Sequence, residues 1–391
     1  MYLPTTSPAH PSSPTSCPAR PPELLEFFAG SGLVSYALRG LFKSVWANDI
    51  CPKKARVYTA NHGAAGFHLG PIQKVRGAEL PAAALSWASF PCQDLSLAGS
   101  TAGIHAKRSG LVWEWLRVID EMPRRPPLLV AENVVGLLCS RGGSQYALLH
   151  AALTQRGYRA GAVVLDAARF VPQSRPRVFV IAVAASLPLP PEVTTSRPGW
   201  LQPGAVVRAA SELPDFVHWQ APEPPPCALT LAELVDRAAP CDPPARQQRN
   251  LAMLVPRHRE RLLRSGELDV VPGYRRTRRG KVVLELRFDG RAGCLRTPGG
   301  GSSRQLLVLK GNEEPGAAAP LRTRLLTVKE AAALMGAPPE YQVPGSYNDG
   351  YKALGDAVAV PVARFLGERL LLPLWQHLTG AAPAAEPLPA S

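Results

Sequence analysis

The sequence predicts an α/β protein with a doubly wound, mostly parallel β-sheet and a second, smaller domain that is irregular and mainly β. From 23 to 184, short apolar runs alternate with segments of helical spacing, which is typical of strands joined by helical crossovers. From 185, prolines and arginines are frequent and the periodicity is weak, so a separate domain begins there. After 325 the regular pattern returns, and we expect this last part to pack back on the first domain.

The elements of the first domain follow one another in a regular order. Apolar runs predict strands in LLEFF, SVWAND, ALSWASF, LLVAENV, AGAVVLDA and VFVIAV. Helical spacing separates them in SYALRGLF, LVWEWLRVI and YALLHAALTQRG. In the second domain, KVVLELRFDG predicts a strand that ends in an Asp-Gly turn. The regular pattern returns with LTVKEAAALMG, and DAVAVPVARFLGERLLLPLW is long and amphipathic enough to form a helix.

Both ends of the chain have compositions that bury too little apolar surface to offset chain entropy. The first end is rich in Pro, Ser and Thr and the last in Ala and Pro, so we expect both tails to be disordered. The predicted organisation is a tail at 1–22, a first domain at 23–184, a second domain at 185–325, a returning segment at 326–379 and a tail at 380–391.

The charge of the chain favours a polyanionic partner, with nucleic acid as the first choice. Lys and Arg number 44 against 30 Asp and Glu, which gives a formal charge of +14 and a pI near 9.8. A GC-rich genome would also raise the Arg, Ala, Gly and Pro content together, and the 42 prolines fit that explanation too. The charge is therefore supporting evidence only.

Cysteine usage and the amino terminus restrict the class of protein further. The seven cysteines are widely spaced and never form a CxxC pair, so neither a zinc site nor a disulfide framework is indicated. The amino terminus lacks the order of a secretory signal, and no run approaches the roughly 18 apolar residues of a membrane helix. We expect a cytoplasmic protein without a metal.

A glycine-rich turn, FFAGSG, follows the first predicted strand and precedes a helical pattern. Such glycines allow a tight turn and let the backbone approach a ligand at the start of a helix. Asp49 ends the next strand, where nucleotide-binding sheets place an acid on a ribose hydroxyl. The alternative for Asp49 is a cap for the following helix. The combination favours a cofactor site.

The second motif is FPCQDL, at the carboxyl end of the predicted strand ALSWAS. Ligands of open α/β sheets bind at strand carboxyl ends, so this location favours a nucleophilic Cys92 over a cysteine that merely packs in the core. A thiol needs a helix start or a nearby cation to ionise, and the segment behind it offers Lys107 and Arg108.

Two further motifs lie at the end and at the start of predicted strands, and the acid of the first is expected to face the same crevice as Cys92. LLVAENV carries Glu132 and Asn133 at its carboxyl end, and an acid after four apolar residues is costly unless it is paired or functional. PQSRPRVFVI places Gln173, Arg175 and Arg177 at the start of a strand, where arginines either bind a phosphate or a carbonyl oxygen or are ordinary edge charges.

In this order and at these intervals, FAGSG, PCQ, ENV and QSRPR resemble the motif series of the cytosine-C5 DNA methyltransferases. LLTVKEAAALMG and LGDAVAVPVA resemble the last two motifs of that family, and the resemblance covers roughly 23–375. It implies a class I S-adenosylmethionine-dependent methyltransferase fold, in which 23–184 is the catalytic domain and 185–325 is a target-recognition domain. The PCQ and ENV pair is its most specific part.

The resemblance implies covalent catalysis at a cytosine flipped out of the duplex. By similarity, Cys92 adds to C6 of the base, Glu132 protonates or hydrogen-bonds N3, and Arg177 with Arg175 steadies the carbonyl and the site. Segment 96–112 corresponds to a loop that closes over the base.

The methyl donor implied is S-adenosyl-L-methionine, and matching positions name its binding residues. Phe28, Ala29, Gly30, Ser31 and Gly32 surround the methionine end. The remaining positions are Asp49 at the ribose with Ile50 next to it, Pro91 and Leu111 beside the ribose, and Asp356 and Val358 from the last motif.

Three departures from the family pattern concern cofactor binding. Leu33 replaces a glycine, Pro71 and Ile72 lie where an acid normally recognises the adenine amino group, and Asp356 replaces the usual Asn.

The predicted DNA contacts come from two segments. RTPGGGSSRQ is similar to the end of the recognition domain, where glycines let the backbone pass close to DNA. Arginine and glutamine can contact base edges or phosphates. The predicted DNA-binding residues are Ser96 and Arg108 in the loop, and Arg296, Arg304 and Gln305 near the glycines.

We therefore expect a DNA (cytosine-5)-methyltransferase, either an orphan or part of a restriction-modification system with a cognate endonuclease. Its partner is duplex DNA, and a monomer is expected. The alternatives are a tRNA cytosine-5 methyltransferase and a catalytically silent DNA-binding regulator. The variable region is about 140 residues long and basic, which favours DNA over tRNA, and the presence of Cys92, Glu132 and Arg177 argues against a silent protein.

Overall fold

The structure is a computed structural model that describes residues 20–91, 110–264, 268–297, 304–311 and 320–380. Within these residues, seven strands form the main sheet in the order β3-β2-β1-β4-β5-β7-β6. The pairs are parallel except those of β7, which runs antiparallel to both neighbours. The strands are β1 Glu23–Phe27, β2 Lys43–Asp49, β3 Phe67–Leu69, β4 Leu85–Ser89, β5 Leu128–Val134, β6 Tyr158–Asp166 and β7 Pro176–Ala184.

Helices cover both faces of this sheet, as the alternation of apolar residues in the strands requires. In β1, Leu24 belongs to one apolar cluster and Leu25 and Phe27 to the other. The helices of the first half are α1 Leu33–Ala37, α2 Pro52–His62, α3 Leu111–Glu121, α4 Gly136–Cys139 and α5 Ser144–Thr154. This arrangement confirms the doubly wound α/β fold class.

The segment that follows β7 packs against the main sheet before the chain enters a second, four-stranded sheet. A short pair, β8 Thr194–Thr195 and β9 His218–Trp219, flanks α6 Gly204–Ala210, and buried Trp219 donates to the carbonyl oxygen of Gly161 in β6 (3.1 Å). A Cβ on Gly161 would lie 1.8 Å from the carbonyl oxygen of Val217, so only glycine permits this approach.

A four-stranded antiparallel sheet lies in the recognition region, in the order β11-β10-β12-β13. Its strands are β10 Val270–Arg278, β11 Lys281–Leu286, β12 Gln305–Lys310 and β13 Leu321–Leu325. Its helical neighbours are α7 Leu231–Leu234, α8 Pro244–Ala252 and α9 Pro256–Arg264. The sheet confirms the mainly β character predicted for the second part.

The last helices pack into the larger apolar cluster of the main sheet through residues such as Leu334, Leu366 and Leu370. They are α10 Val328–Leu334, α11 Tyr347–Gly355, α12 Val360–Leu366 and α13 Leu372–Thr379. The expected single helix from Asp356 onward begins only at Val360, and a π-helical turn at Gly367–Leu371 precedes α13, whose first turn contains Pro373. No helix in the described ranges is long and apolar enough to span a membrane.

Candidate active site

A cavity of about 440 Å³ opens at the carboxyl ends of β1, β2, β4 and β5, and the segment after α11 closes it. It brings the Gly-rich turn, the ENV motif, the QSRPR motif and the last motif together, although they are far apart in sequence. The predicted site residues that line it are Phe28, Ala29, Gly30, Asp49, Ile50, Pro91, Leu111, Glu132, Arg175, Arg177, Asp356 and Val358. Cys92, Ser96 and Arg108 lie outside the described residues.

The Gly-rich turn is held by Asp49. Its Oδ2 accepts a hydrogen bond from the backbone N–H of Gly30 (2.9 Å), and its Oδ1 accepts one from the N–H of Cys51 (2.8 Å). Gly30 and Phe28 both have φ near 56°, in the left-handed region that favours glycine. Asp49 therefore shapes the turn and the start of α2 at the same time as it lines the cavity.

Ser31 and Gly32 support the turn from behind and are not part of the cavity wall. The buried Ser31 hydroxyl donates to the carbonyl oxygen of Ala353, and its own carbonyl accepts from the hydroxyl of Tyr341. A Cβ on Gly32 would lie 2.7 Å from His62 Nε2, so this position needs glycine for packing. Their predicted place beside the cofactor stays a prediction.

The mouth of the cavity carries an unusually exposed apolar side chain. Ile50 follows β2 and is 67% exposed, although large apolar side chains in this fold are mostly buried. Pro71, Ile72 and Gln73 line the same region, where the family pattern has an acid.

Glu132 and Arg177 form an ion pair at the inner end of the cavity. Arg177 Nε lies 3.1 Å from Glu132 Oε1, and both side chains are largely buried. Burial raises the pKa of Glu132, while Arg177, Arg175 and a hydrogen bond from Ser89 act against that rise. The carboxyl group therefore accepts a proton more readily than a surface glutamate.

Ser89 and Asn133 hold this end of the site in place. Ser89 is paired with Glu132 in the register of β4 and β5, so the strand pairing itself delivers its hydroxyl to the carboxylate. Asn133 Nδ2 donates to the carbonyl oxygen of Phe90 (3.0 Å) and fixes the backbone just ahead of Pro91. Sequence reasoning did not identify Ser89, because its partner depends on strand register.

Arg175 is engaged differently from Arg177. Its guanidinium is fully buried and donates to the carbonyl oxygens of Leu295 (2.8 Å), Gly355 (2.9 Å) and Ala357 (2.6 Å). Burial lowers its pKa to about 10. The contacts join the recognition region to the last motif, which is the work of a positioning residue.

A second cleft, of about 510 Å³, lies between the main sheet and the antiparallel sheet. Its basic lining consists of Arg177, Arg276, Arg287 and Arg296. Arg296 is exposed there, as a DNA contact requires. Arg304 is half-buried and donates to Asn348 Oδ1 (2.6 Å).

Gln305 requires a correction to the predicted DNA contacts. It is the first residue of β12, in the interior of the sheet between β10 and β13, and its side chain is 0% exposed. A base edge cannot reach a side chain that is enclosed in this way, so the structure removes Gln305 from the contact surface.

Three charged residues of the cavity lining were missed by sequence reasoning: Glu26, Lys54 and Lys352. Glu26 lies between apolar residues of β1, where it accepts hydrogen bonds from the N–H (3.2 Å) and the hydroxyl of Ser35, and burial raises its pKa to about 8. A glutamate inside an otherwise apolar strand is a sequence signal that could have identified Glu26. Lys54 in α2 also lines the cavity. It is one of two consecutive lysines near the start of a helix, a pattern that is typical of a solvent-exposed helix face. No group of potential metal ligands occurs in the described part of the chain.

Comparisons with known proteins agree with this geometry. Residues 23–216 and 273–371 match the family described as C-5 cytosine-specific DNA methylase. The chain is 24% identical to the type II methyltransferase M.MspI of Moraxella sp. over 356 residues, which are 90% of this chain and 71% of that protein. It is 24% identical to the type II methyltransferase M.NlaX of Neisseria lactamica over 352 residues, 89% of this chain and 96% of that protein.

Solved structures share the fold. The S. pombe Dnmt2 methyltransferase superposes with a TM-score of 0.56 at 17% identity, covering 90% of this chain and 98% of that one. A putative DNA modification methyltransferase encoded within an E. coli prophage gives a TM-score of 0.54 at 17% identity, covering 91% and 99%.

Proposed function

Because the chain belongs to the C-5 cytosine-specific DNA methylase family and is a DNA (cytosine-5)-methyltransferase, we propose how its own residues perform that reaction. The observation that carries the proposal is the buried Glu132–Arg177 pair, which shares one cavity with the Gly-rich turn. The target base and the methyl donor must meet in one enclosed space. This cavity is lined both by the Glu132–Arg177 pair and by residues of the Gly-rich turn.

Glu132 acts on the flipped cytosine. A buried carboxyl group with a raised pKa holds a proton more readily than a surface glutamate and can donate it to N3 of the base, which makes C6 more electrophilic. Arg177 orients Glu132 and lies where it can donate to the cytosine carbonyl oxygen.

Cys92 is the nucleophile in this proposal, on the strength of the PCQ motif. Its thiolate adds to C6, which forms the S–C6 bond and shifts the C5–C6 electron pair so that C5 becomes nucleophilic. Methyl transfer to C5 would break the methyl–sulfonium bond of the donor and release S-adenosylhomocysteine. A base then removes the C5 proton, the thiolate leaves as the C5–C6 double bond re-forms, and the N3 proton returns to Glu132. Pro91, at the cavity wall, and the Phe90 carbonyl held by Asn133 position the backbone that leads to it.

The residues of the cavity fit S-adenosylmethionine as the donor. When bound, this cofactor supplies an electrophilic methyl group on its sulfonium. Gly30 leaves the wall beside the turn open, because it carries no side chain. Ile50 offers an exposed apolar surface for a flat heteroaromatic ring, and Asp49 and Leu111 line the cavity between.

Duplex DNA is the substrate, and we propose that the basic cleft between the sheets holds it. Arg276, Arg287 and Arg296 line the cleft and supply phosphate or base contacts. Arg304, which is not part of the cleft lining, is proposed as a further contact. The type II names of the relatives support a place in a restriction-modification system with a cognate endonuclease, and we propose a monomeric enzyme.

The test is transfer of a labelled methyl group from S-adenosylmethionine to duplex DNA and, separately, to a tRNA transcript. We expect incorporation into DNA alone in the wild type. Cys92→Ser should abolish it while duplex binding persists, because a hydroxyl is far less ionised than a thiol at neutral pH. Glu132→Gln should lose most turnover with little change in cofactor affinity.

Three results would contradict the proposal. Preferred methylation of tRNA would select the RNA alternative, and binding of DNA without methyl transfer by the wild type would select the silent regulator. Full activity of Cys92→Ser would remove the nucleophile assignment. Bisulfite sequencing of DNA from expressing cells identifies the recognition sequence.

A further inference from the structure

An ion pair lies in the wall of the cavity beside the Gly-rich turn. Lys54 Nζ is 2.7 Å from Asp356 Oδ2, and the two side chains are 16% and 33% exposed. Both residues line the cavity. The pair joins α2 to the segment after α11, so it is a contact between parts of the chain that are about 300 residues apart.

Each partner is fixed by neighbours that leave the pair facing the cavity. The stem of Lys54 packs next to Gly30, since a Cβ built there would lie 3.9 Å from Lys54 Cδ. The hydroxyl of Thr297 donates to the other oxygen of Asp356. The pair is therefore a rigid dipole beside the turn and not two mobile surface charges.

Lys54 stays charged in this position. Burial alone would lower its pKa, but Asp356 and Asp49 more than offset that effect, and the pKa is raised. An ammonium group has three hydrogen-bond donors, of which Asp356 takes one. A carboxylate that accepts from Thr297 and Lys54 likewise retains lone pairs for a further donor.

We propose that Lys54 and Asp356 bind the amino-acid end of S-adenosylmethionine, with Lys54 donating to the α-carboxylate and Asp356 accepting from the α-ammonium. The cofactor carries these opposite charges on substituents of one carbon atom, so a cation and an anion 2.7 Å apart match them in sign and spacing. The Gly-rich turn beside Lys54 is where the family resemblance places the methionine end. This inference rests on the cofactor proposed above.

The pair also explains the departure at Asp356. A carboxylate in place of the usual Asn would repel the α-carboxylate of the cofactor if it had no counter-ion. Lys54 supplies that counter-ion from α2 and restores a group that attracts the α-carboxylate. The two residues therefore work as a unit.

The experiment compares two ligands by isothermal titration calorimetry with the full chain. S-adenosylhomocysteine carries the amino-acid end, whereas 5′-methylthioadenosine has the same adenosine without it. Lys54→Met removes the cation and keeps the apolar stem. Lys53→Met is the matched control, since the neighbouring Lys53 is 57% exposed and pairs with Asp349 outside the cavity lining.

We expect Lys54→Met to weaken S-adenosylhomocysteine binding by about tenfold or more and to leave methylthioadenosine binding unchanged. Unchanged methylthioadenosine binding also shows that the variant is folded. If Lys54→Met does not fold, the same test is made with Lys54→Gln. Lys53→Met should bind both ligands as the wild type does.

Two results would overturn the inference: an unchanged affinity for S-adenosylhomocysteine, or an equal loss for both ligands. A wild type that binds neither ligand would instead overturn the cofactor assignment and, with it, this inference. The two failures are therefore distinguishable.

Discussion

Arg175 and Arg177 are two residues apart and both belong to the QSRPR motif, yet the structure separates their roles. Arg177 faces Glu132, whereas Arg175 donates to the backbone carbonyl oxygens of Leu295, Gly355 and Ala357. We predict that Arg175→Met lowers the stability of the fold and that Arg177→Met abolishes turnover with a smaller loss of stability.

The magnitude follows from the contacts of Arg175. A hydrogen bond to a charged group contributes about 1.5 to 3 kcal/mol, so its three carbonyl contacts contribute about 5 to 9 kcal/mol gross. Burial opposes them, because lowering the pKa of Arg175 to about 10 corresponds to about 3 kcal/mol against the charged form. The free energy of unfolding should therefore fall by about 2 to 6 kcal/mol in Arg175→Met.

The expected loss of stability in Arg177→Met is smaller than in Arg175→Met, because Glu132 has a raised pKa and can take up a proton when its partner is removed, whereas the backbone carbonyl partners of Arg175 cannot. Urea unfolding followed by tryptophan fluorescence measures both values. Methyl incorporation is then measured at a temperature where both variants are folded. If Arg175→Met kept wild-type stability and still lost all activity, Arg175 would contact substrate and this reasoning would be refuted.

Two further predictions concern stability. Glu26, held by Ser35, has its pKa raised from 4.5 to about 8, so the folded state keeps a proton that the unfolded chain releases. The unfolding free energy should therefore fall as pH rises from 4.5 to 8 by up to roughly 5 kcal/mol relative to Glu26→Gln; parallel pH profiles would contradict this. Gly161→Ala should lower the free energy of unfolding by about 3 kcal/mol or more, because the new Cβ clashes with the Val217 carbonyl oxygen. Gly199→Ala, with its nearest atom at 3.9 Å, is the control in chemical denaturation.

The parts of the site that sequence could predict are those that local patterns determine. Glu132 and Asp49 each end an apolar strand, and parallel strands place their carboxyl ends at one edge of a sheet. Asp49 could therefore be assigned to a cofactor site, and Glu132 to the crevice of Cys92, before any contact was known. The resemblance to the family supplied the roles of the site residues in the reaction with cytosine, which a pattern of apolar residues cannot indicate.

The parts that could not be predicted depend on contacts between distant segments. Gln305 follows a run of glycines and serines that suggests an exposed loop, but packing of the antiparallel sheet encloses it. Lys54 looks like a surface lysine until α2 meets Asp356. In both cases the environment is set by residues far away in the chain, so the local sequence carries no signal for it.

The cavity is completed only when the last part of the chain has packed on the first. Its inner wall comes from the ends of β1, β2, β4 and β5, but the outer wall comes from the segment after α11, including Asp356. Polar contacts hold this wall, through Arg175 to Gly355 and Ala357 and through Lys54 to Asp356. Because Arg175 also binds the carbonyl of Leu295, the recognition region is anchored to the same wall. One buried side chain, Arg175, therefore contacts both the backbone at Leu295 and the wall of the cavity at Gly355 and Ala357.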